Sequence, residues 1–164
     1  MGEVNFCLRC GNQLKLKEAS GRIRPVCGRC GWVYFPDPKV AVVAVISEGD
    51  KILLVRRSVN PHRGKWTLPA GFVDAGEDPR DAIERECLEE MGLSVVVDGL
   101  MDVVYGQEHS KGAHIIIIYR VNVHSGSLKP GDDVDRVKFF DLDKLPQIAF
   151  KTTNKVIEML QKPE

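Results

Sequence analysis

Three glutamates near the middle of the chain have a spacing that could gather a multivalent cation. Glu86, Glu89 and Glu90 are i, i+3 and i+4 neighbours, so on a helix they fall within an arc of roughly 100°. Like charges at that spacing repel one another unless a cation joins them, and carboxylate oxygens select Mg²⁺ or Mn²⁺. The spacing therefore indicates metal-assisted chemistry on a phosphate-bearing substrate.

The flanking residues predict the helix that must position these glutamates. Asp78 is a suitable N-cap, Pro79 is favoured as a first helical residue, and Gly92 supplies a stop, which together predict a helix of about 13 residues. Between residues 71 and 93 there are eight acids and two arginines, a net charge of minus six. A polyanionic substrate would be repelled there without bound cations.

The same segment resembles the Nudix hydrolase box. That motif is a glycine, five residues, Glu, seven residues, Arg-Glu, an aliphatic residue, any residue, Glu-Glu, any residue, a glycine and an aliphatic residue. The matching positions are Gly71, Glu77, Arg85, Glu86, Glu89, Glu90, Gly92 and Leu93. Cys87 departs from the aliphatic position, but a free cysteine behaves as a small buried hydrophobe. A solvated acidic helix is the alternative, and it leaves the spacing of the two glycines and Arg85 unexplained.

The resemblance implies roles for these residues and for a few others. The catalytic set is Glu86, Glu89, Glu90, Arg85 and Glu77, and the Mg²⁺ or Mn²⁺ ligands are Glu86, Glu89, Glu90, Asp133 and a carbonyl of Ala70 or Gly71. Arg85 and Glu77 pair in the family to hold the preceding loop against the helix. Asp133 aligns with an acidic ligand of zinc-ribbon Nudix enzymes, with a simple turn acid as the alternative. Glu108 lies in a loop that supplies the general base in some members.

The amino-terminal segment carries a second metal motif. Cys7-x-x-Cys10 and Cys27-x-x-Cys30 are separated by 16 residues, and each pair is followed by glycine, which is zinc-ribbon spacing. Four thiolates leave no open position on Zn²⁺, so the site is expected to be structural. Two disulfides are the alternative, but there is no apolar signal segment and Cys87 would be left over. A redox pair would come singly.

The chain is predicted to contain a zinc ribbon over residues 1–36 and a Nudix domain over 37–164, divided by a proline-rich linker. The predicted elements are strands at 39–46, 51–57, 101–105, 113–123 and 134–140, a hairpin turn at 47–50, and a final helix at 153–162 capped by Thr152 or Thr153. A mixed sheet between helices follows from this order. It matches the α/β/α sandwich that the Nudix resemblance implies, preceded by a small zinc ribbon.

Overall composition restricts the partners. Lys plus Arg equals Asp plus Glu at 23 each, so no global basic field recruits nucleic acid or a membrane. Residues 1–38 contain six Lys or Arg and three acids, a net charge of plus three, which a tetrathiolate zinc centre would reduce to about plus one. The charge of the ribbon therefore argues only weakly for contact with nucleic acid. No apolar run is long enough to span a bilayer. We expect a cytoplasmic enzyme with a small nucleotide substrate, and a homodimer by analogy with many relatives.

Substrate-binding candidates flank the box: Arg56, Arg57, Lys65, Trp66 and Phe150. A solvated loop is the alternative for the cations, and core packing for the aromatic residues.

A ribbon joined to a Nudix domain resembles the NADH pyrophosphatases and a group acting on FAD or ADP-ribose. Residues 101–112 lack the Ser-Gln-Pro-Trp-Pro-Phe-Pro stretch of the former. The favoured reaction is hydrolysis of a diphosphate bridge of the ADP-ribose, FAD or NAD(H) type, releasing AMP. Alternatives are a nucleoside triphosphate, a capped RNA end, or a non-catalytic nucleotide-sensing module.

Overall fold

The computed structural model describes residues 4–106, 108 and 112–161. The chain forms two compact units that divide between Pro38 and Lys39. The first unit contains a hairpin of strands β1 (Leu14–Ala19) and β2 (Arg22–Cys27). Neither strand was predicted from the sequence, because their alternating charged and apolar residues are too few to form a core of their own.

The second unit contains two sheets and two helices among its described residues. Its elements are β3 (Val40–Val45), β4 (Ser47–Glu48), β5 (Lys51–Arg57), β6 (Trp66–Thr67), β7 (Ala70–Phe72), α1 (Pro79–Met91), β8 (Leu93–Tyr105), β9 (Ile115–Gly126), β10 (Val134–Asp141) and α2 (Lys151–Leu160). One sheet has the order β7-β3-β9-β8, and the other has the order β10-β5-β4 with β6 beside β5. Because β3 pairs with β9 in parallel and with β7 antiparallel, the first sheet is mixed, as predicted.

The apolar residues divide between two cores, one on each face of the sheets. Along β3, Val42 and Ala44 belong to one core, and Val43 and Val45 belong to the other, because successive strand residues point to opposite faces. Each helix covers one of these faces with buried side chains: Ala82, Ile83, Cys87 and Met91 from α1, and Val156 and Ile157 from α2. This arrangement confirms the predicted α/β/α sandwich. None of the described helices is long and apolar enough to cross a membrane.

The carboxyl-terminal helix begins differently from its prediction. It starts at Lys151 instead of residue 153, and its N-cap Phe150 supplies no side-chain hydrogen bond. The carboxylate of Glu108 accepts hydrogen bonds from the backbone N–H groups of Lys151 and Thr152, at 2.7 and 2.8 Å. The prediction that Thr152 or Thr153 caps this helix is therefore wrong. A carboxylate more than 40 residues away takes the role, which no local pattern encodes.

Two strand assignments also need correction. β8 begins at Leu93 instead of residue 101, because Gly92 adopts a φ of 69° and turns the chain from α1 directly into the strand. The chain does turn at Gly49 and Asp50, but Ser47 and Glu48, predicted as part of the turn, form the short strand β4, which pairs with β5. The preceding strand β3 belongs to the other sheet. The chain changes sheets at Ile46, a step that a β-branched run does not reveal.

Candidate active site

Helix α1 has the limits that its sequence predicts. The side chain of Asp78 accepts a hydrogen bond from the backbone N–H of Arg80 at 2.8 Å, and Pro79 occupies the first helical position. At the other end, the left-handed conformation of Gly92 lets its N–H reach the carbonyl oxygens of Cys87 and Leu88. These caps fix the direction of every side chain on the helix, including the three glutamates.

The three glutamates of α1 do not share one environment. Glu86 and Glu90 are buried, at 9% and 5% relative exposure, because the i, i+4 pair lies on the side of the helix that faces the sheet. The side chain of Glu89 remains 48% exposed. The site is therefore built from two carboxylates removed from water and one that stays in contact with it.

Glu90 is held against strand β7. Its Oε2 accepts a hydrogen bond from the backbone N–H of Ala70 at 3.1 Å. Burial raises the pKa of Glu90 well above its usual range, and the negative charge of Asp133 raises it further. A second carboxylate facing a buried one is unfavourable by itself. The pair indicates a position where a cation would be stabilising.

Glu86 lies directly against the backbone of Gly71. A Cβ at Gly71 would overlap the Glu86 carboxylate group, so only glycine allows this close approach. Burial raises the pKa of Glu86, while its ion pair with Arg85 lowers it in part. The negative charges of Glu89 and Asp132 act in the raising direction. The glycine of the box is thus explained as space for a carboxylate.

Arg85 connects the acids of the box. Its guanidinium pairs with both oxygens of Glu77, at 2.8 and 3.0 Å. Its Nη1 also donates to Glu86 at 2.7 Å and to Glu89 at 3.2 Å, and its Nη2 donates to the carbonyl oxygen of Phe72 at 3.1 Å. One rigid planar group therefore fixes two of the helix glutamates and the end of β7.

Glu77 fastens the loop before α1. Besides its pair with Arg85, it accepts a hydrogen bond from the backbone N–H of Asp74 at 2.9 Å. The Arg85 guanidinium and this N–H lower the pKa of Glu77 to about 2. The pairing of Glu77 with Arg85 is present in the structure as the Nudix resemblance implies, so the loop is tied to the helix through a charged group.

The loop before β10 brings two more acids toward the same region. It wraps the end of α1, with the Gly131 N–H donating to the Glu90 carbonyl at 3.0 Å. Asp133 acts electrostatically on Glu90, and Asp132 acts on Glu86. Of these two acids, only Asp133 was predicted from the sequence to be a metal ligand. The doublet of acids was the available signal for Asp132, whose φ of 47° is unusual for a residue with a side chain.

Arg57 and Phe150 lie together beside the acids. The Arg57 guanidinium is 5.3 Å from the centre of the Phe150 ring, and its Nη2 is 3.8 Å from Asp133 Oδ2. Its Nε donates to the Pro61 carbonyl at 2.8 Å. The ring of His62 meets Phe150 edge-on at 5.2 Å. Two predicted substrate-binding residues are thus brought together, with His62 as an aromatic neighbour that the sequence did not indicate.

The other three substrate-binding candidates have protein contacts of their own. Arg56 forms a two-bond ion pair with Asp135, at 2.7 and 2.8 Å. Trp66 packs edge-on against Phe140 at 4.7 Å and contributes to the core on the α2 side. Lys65 is half-buried, and its carbonyl accepts a hydrogen bond from the backbone N–H of Arg57. Their roles in substrate binding stay predictions.

Glu108 is occupied as a helix cap. In addition to the two backbone N–H groups, the hydroxyl of Thr152 donates to it at 2.6 Å. Burial would raise the pKa of Glu108, but the hydrogen bonds from Thr152 and Lys151 outweigh it and lower the pKa. Three donors leave this carboxylate engaged with α2 in the structure, so it is a weaker candidate for a general base than its loop position suggests.

The four ribbon cysteines converge on one point. Their sulfur atoms all lie within 4.8 Å of one another, and all are free thiols. The separations are 3.6 Å for Cys7 and Cys30, 3.5 Å for Cys10 and Cys27, and 3.6 Å for Cys10 and Cys30. A disulfide needs about 2.05 Å, whereas tetrahedral sulfurs at about 2.3 Å from Zn²⁺ lie about 3.8 Å apart. The geometry fits zinc and not a pair of disulfides.

The two cysteine knuckles repeat one backbone pattern. The N–H of Gly11 donates to the Cys7 carbonyl at 2.9 Å, and that of Gly31 donates to the Cys27 carbonyl at 3.1 Å. Both glycines have positive φ, at 69° and 72°, which explains the glycine after each pair. The backbone N–H of Cys30 is the largest of several contacts that lower the pKa of Cys27 to about 6. The N–H of Trp32 lowers the pKa of Cys30, but burial and the neighbouring thiols outweigh it and raise that pKa to about 11, so the cluster favours one thiolate without a metal.

The carboxylates of α1 have the ligand chemistry that a divalent cation needs, but their oxygen atoms are too far apart in this structure to bind one cation together. They offer hard oxygen donors, Glu86 and Glu90 are buried, and the Glu86 carboxylate packs directly against Gly71. Within the described residues, however, the cysteines are the one group with three or more such ligand atoms inside 4.8 Å. The carboxylates are separated because Arg85 lies between Glu86 and Glu89 and supplies the positive charge.

Comparison with known proteins agrees with this geometry. The model of the NUDIX domain matches residues 36–160. A crystal structure of a NUDIX hydrolase from Nitrosomonas europaea superposes with a TM-score of 0.82 and 28% identity, covering 97% of this chain and 94% of that one. A MutT NUDIX hydrolase from Burkholderia pseudomallei has a TM-score of 0.67 and 30% identity, covering 77% of this chain and all of that one.

Two curated relatives are also similar. An ADP-ribose pyrophosphatase of Methanocaldococcus jannaschii is 42% identical over 114 residues, which is 69% of this chain and 68% of the relative. The NAD-capped RNA hydrolase NudC of Pseudomonas aeruginosa is 26% identical over 144 residues, which is 87% of this chain and 50% of that protein. The chain thus spans about half the length of this second relative. On its domain match, its fold and the intact box, the chain belongs to the Nudix hydrolase family.

Proposed function

We propose that this protein hydrolyses the diphosphate bridge of an ADP-ribose-type substrate with the help of Mg²⁺ or Mn²⁺. Water would add to one phosphorus, the bridging oxygen would leave with the other phosphate, and AMP and a second phosphomonoester would result. The observation that carries the proposal is the pair of buried carboxylates, Glu86 and Glu90, whose pKa values burial raises. Such a pair is stabilised when a cation joins it.

Several residues would hold the cation. Glu86, Glu89 and Glu90 supply carboxylates, Asp133 faces Glu90, and β7 offers a backbone carbonyl at Ala70 or Gly71. A divalent cation at this place supplies neutralisation of the diphosphate oxygens and activation of the attacking water. Nudix hydrolases generally need such an ion, and the net negative charge of the box would repel a diphosphate without one.

The remaining residues of the box would position these acids. Arg85 fixes Glu86 and Glu89 through its Nη1, and Glu77 fixes Arg85 through two hydrogen bonds. When a cation binds, Glu89 is the acid most able to reorient, because its side chain is half exposed. Glu86 is confined by Gly71. Glu86 is thus already in position before substrate binds, and Glu89 can still adjust to the cation.

The choice of an ADP-ribose-type substrate is supported by relatives and by the neighbouring residues. The Methanocaldococcus relative is named an ADP-ribose pyrophosphatase. Arg57, beside the Phe150 ring, could contact an anionic oxygen while the ring packs against a sugar or base. We propose Arg57 and Phe150 as the substrate contacts, and we give Arg56, Lys65 and Trp66 less weight because of the protein contacts already described.

A dinucleotide at the end of an RNA is the second candidate. It is favoured by similarity to a protein named as an NAD-capped RNA hydrolase. The chemistry would be the same, because the NAD moiety contains the same diphosphate bridge between AMP and a second nucleotide. The two candidates differ in whether the protein must also hold a nucleic-acid chain.

A substrate panel tests the proposal. The zinc-loaded full chain would be incubated with Mg²⁺ and, separately, ADP-ribose, FAD, NADH, NAD and nucleoside triphosphates, with products resolved by chromatography. AMP from ADP-ribose is the expected result. A matched pair of variants makes the assignment specific: Glu86→Gln should lose turnover, and Asp81→Asn, an exposed acid in the first turn of α1, should keep it. Equal turnover by both variants would contradict the site.

A further inference from the structure

The register of the ribbon hairpin gathers cations on one of its faces. Directly paired residues of two antiparallel strands share a face. Lys17 pairs with Arg24, Lys15 with Val26, and Ala19 with Arg22. Four cations therefore project from the same side of β1 and β2, and we call this side the basic face.

The opposite face has a different composition. The pairs there are Leu14 with Cys27, Leu16 with Pro25, and Glu18 with Ile23. Glu18, the acid of the hairpin, thus lies on the other side from the cations. Lys15, Lys17 and Arg22 are exposed and make no ion pair within the described part of the chain. The positive charge of the basic face is not neutralised locally.

An aromatic ring adjoins these cations. The Arg24 guanidinium carbon lies 4.5 Å from the centre of the Phe35 ring, and its Nε donates to the Ala19 carbonyl at 3.2 Å. Phe35 is nevertheless 51% exposed. Proteins that bind single-stranded nucleic acids combine exposed aromatic rings with cations, because the cations contact phosphates and a base stacks on the ring.

We propose that the basic face binds the sugar–phosphate backbone of a single-stranded nucleic acid. Cations at alternate residues of one strand are about 6.7 Å apart, so Lys15 and Lys17 can contact separate phosphate groups. At the sequence level, the small net charge of the ribbon argued only weakly for contact with nucleic acid. That sum is misleading, because it averages the basic face with Glu18 on the opposite face and with the charge at the cysteines.

This inference concerns the ribbon and does not depend on the proposed hydrolase activity. The two claims fail separately, because the binding test uses an RNA with a 5′-hydroxyl end, which contains no diphosphate bridge. A Glu86→Gln variant should bind this RNA as the wild type does. Loss of hydrolysis in that variant would leave the binding result unchanged.

The test measures how RNA binding depends on salt. A fluorescent oligouridylate of about 12 nucleotides, within the range of single-strand site sizes, would be titrated with the zinc-loaded full chain at several salt concentrations. The variant Lys15→Gln/Lys17→Gln/Arg22→Gln removes three proposed phosphate contacts. The slope of log affinity against log salt should become shallower by about 2, at about 0.7 for each contact. Between about 50 and 200 mM salt, the wild type should lose about twentyfold more affinity than the variant.

Matched controls separate the basic face from general charge. Glu18→Gln, on the opposite face of the same hairpin, should leave the salt slope unchanged, and Lys15→Arg/Lys17→Arg should retain binding. Zinc content would be measured for each variant. If the triple variant loses zinc, the single Lys17→Gln change still tests the proposal, with a slope change of about 0.7.

Three outcomes would overturn the proposal. The first is a wild type that binds no RNA even at low salt, and the second is a triple variant that keeps the wild-type slope. The third outcome is a wild-type dimer that the triple variant converts to a monomer in sedimentation, without RNA binding by either protein. That result would identify the basic face as a contact between copies of the chain.

Discussion

The ribbon offers four cysteines to a metal ion, and α1 offers three glutamates. The two sets differ in how closely their ligand atoms are already gathered. The cysteine sulfurs already converge within 4.8 Å, held by two backbone knuckles that repeat each other. The glutamates are kept apart by Arg85 and are each tied to a protein group. The first arrangement suits a metal that holds a fold together, and the second suits one that joins substrate.

The difference shows how the protein environment sets the role of a ligand cluster. Four thiolates would complete the coordination of zinc and leave no position for a reactant. Arg85 and the Ala70 N–H offset part of the repulsion among the carboxylates, so we expect the fold to survive without the ion and the ion to enter with substrate. We therefore expect metal loss to cost structure in the ribbon and activity in the Nudix unit.

The largest expected effect is on the ribbon when zinc is removed. Zinc binding to such sites is worth about 10–16 kcal/mol, and the hairpin has little apolar core to replace it. Strong chelation, or Cys27→Ser, should unfold β1 and β2 while leaving α1 folded. Hydrogen exchange measured by mass spectrometry checks this, because amides of 14–27 should lose protection and those of 79–91 should keep it. Protection of both segments without zinc would contradict the structural role.

The next effect concerns Glu86. The Glu86→Gln change keeps the shape of the side chain but removes a buried charge, and turnover should fall on the order of a hundredfold or more. The fold should survive, because burial already disfavours that charge. Steady-state kinetics and thermal melting measure the two properties. A variant that melts far below the wild type would show that Glu86 serves stability instead.

Glu77 should show a smaller loss of activity, since it acts through Arg85. Glu77→Gln weakens the two-bond pair that fixes Arg85, and changes of this kind typically cost about 10–100-fold. The loss should appear as a weaker apparent affinity for Mg²⁺ together with a lower kcat. A variant combining Glu77→Gln with Arg85→Lys should be little worse than Arg85→Lys alone. Fully additive losses would mean that the two residues act independently.

The smallest effect is on stability, at the cap of α2. Glu108→Ala removes the acceptor for Lys151 and Thr152, and loss of a helix cap costs about 1 kcal/mol. Because the folded state lowers the pKa of Glu108 from its ordinary 4.5, its contribution is complete above that value. It is lost as pH falls through the lower folded value. Denaturant unfolding of wild type and variant should differ at neutral pH and converge in acid. A difference that grows in acid would have the wrong sign.

The sequence was sufficient for the parts of the molecule that local rules determine. Asp78, Pro79 and Gly92 predicted the limits of α1 because caps act within one turn. The spacing of the cysteines predicted their convergence because each knuckle closes within five residues. The Nudix resemblance supplied the fold, and the mixed sheet with a core on each face agrees with it.

Contacts between distant segments could not be predicted in the same way. Glu108 caps α2 from a loop more than 40 residues earlier, so the nearby threonines were misleading. The charge of Asp132 raises the pKa of Glu86 only because the loop before β10 brings it to the end of α1. The basic face of the ribbon depends on strand register, which charge totals do not contain.

If zinc holds the ribbon together and Mg²⁺ serves hydrolysis at α1, the two metals must have separable effects on activity, which an assay of metal dependence measures. The chain would be prepared with one zinc per molecule, freed of loosely bound divalent ions, and assayed with ADP-ribose as Mg²⁺ is added back. We expect no turnover at first, AMP production that saturates with Mg²⁺, and a constant zinc content. Turnover that follows zinc content and ignores Mg²⁺ would contradict this expectation.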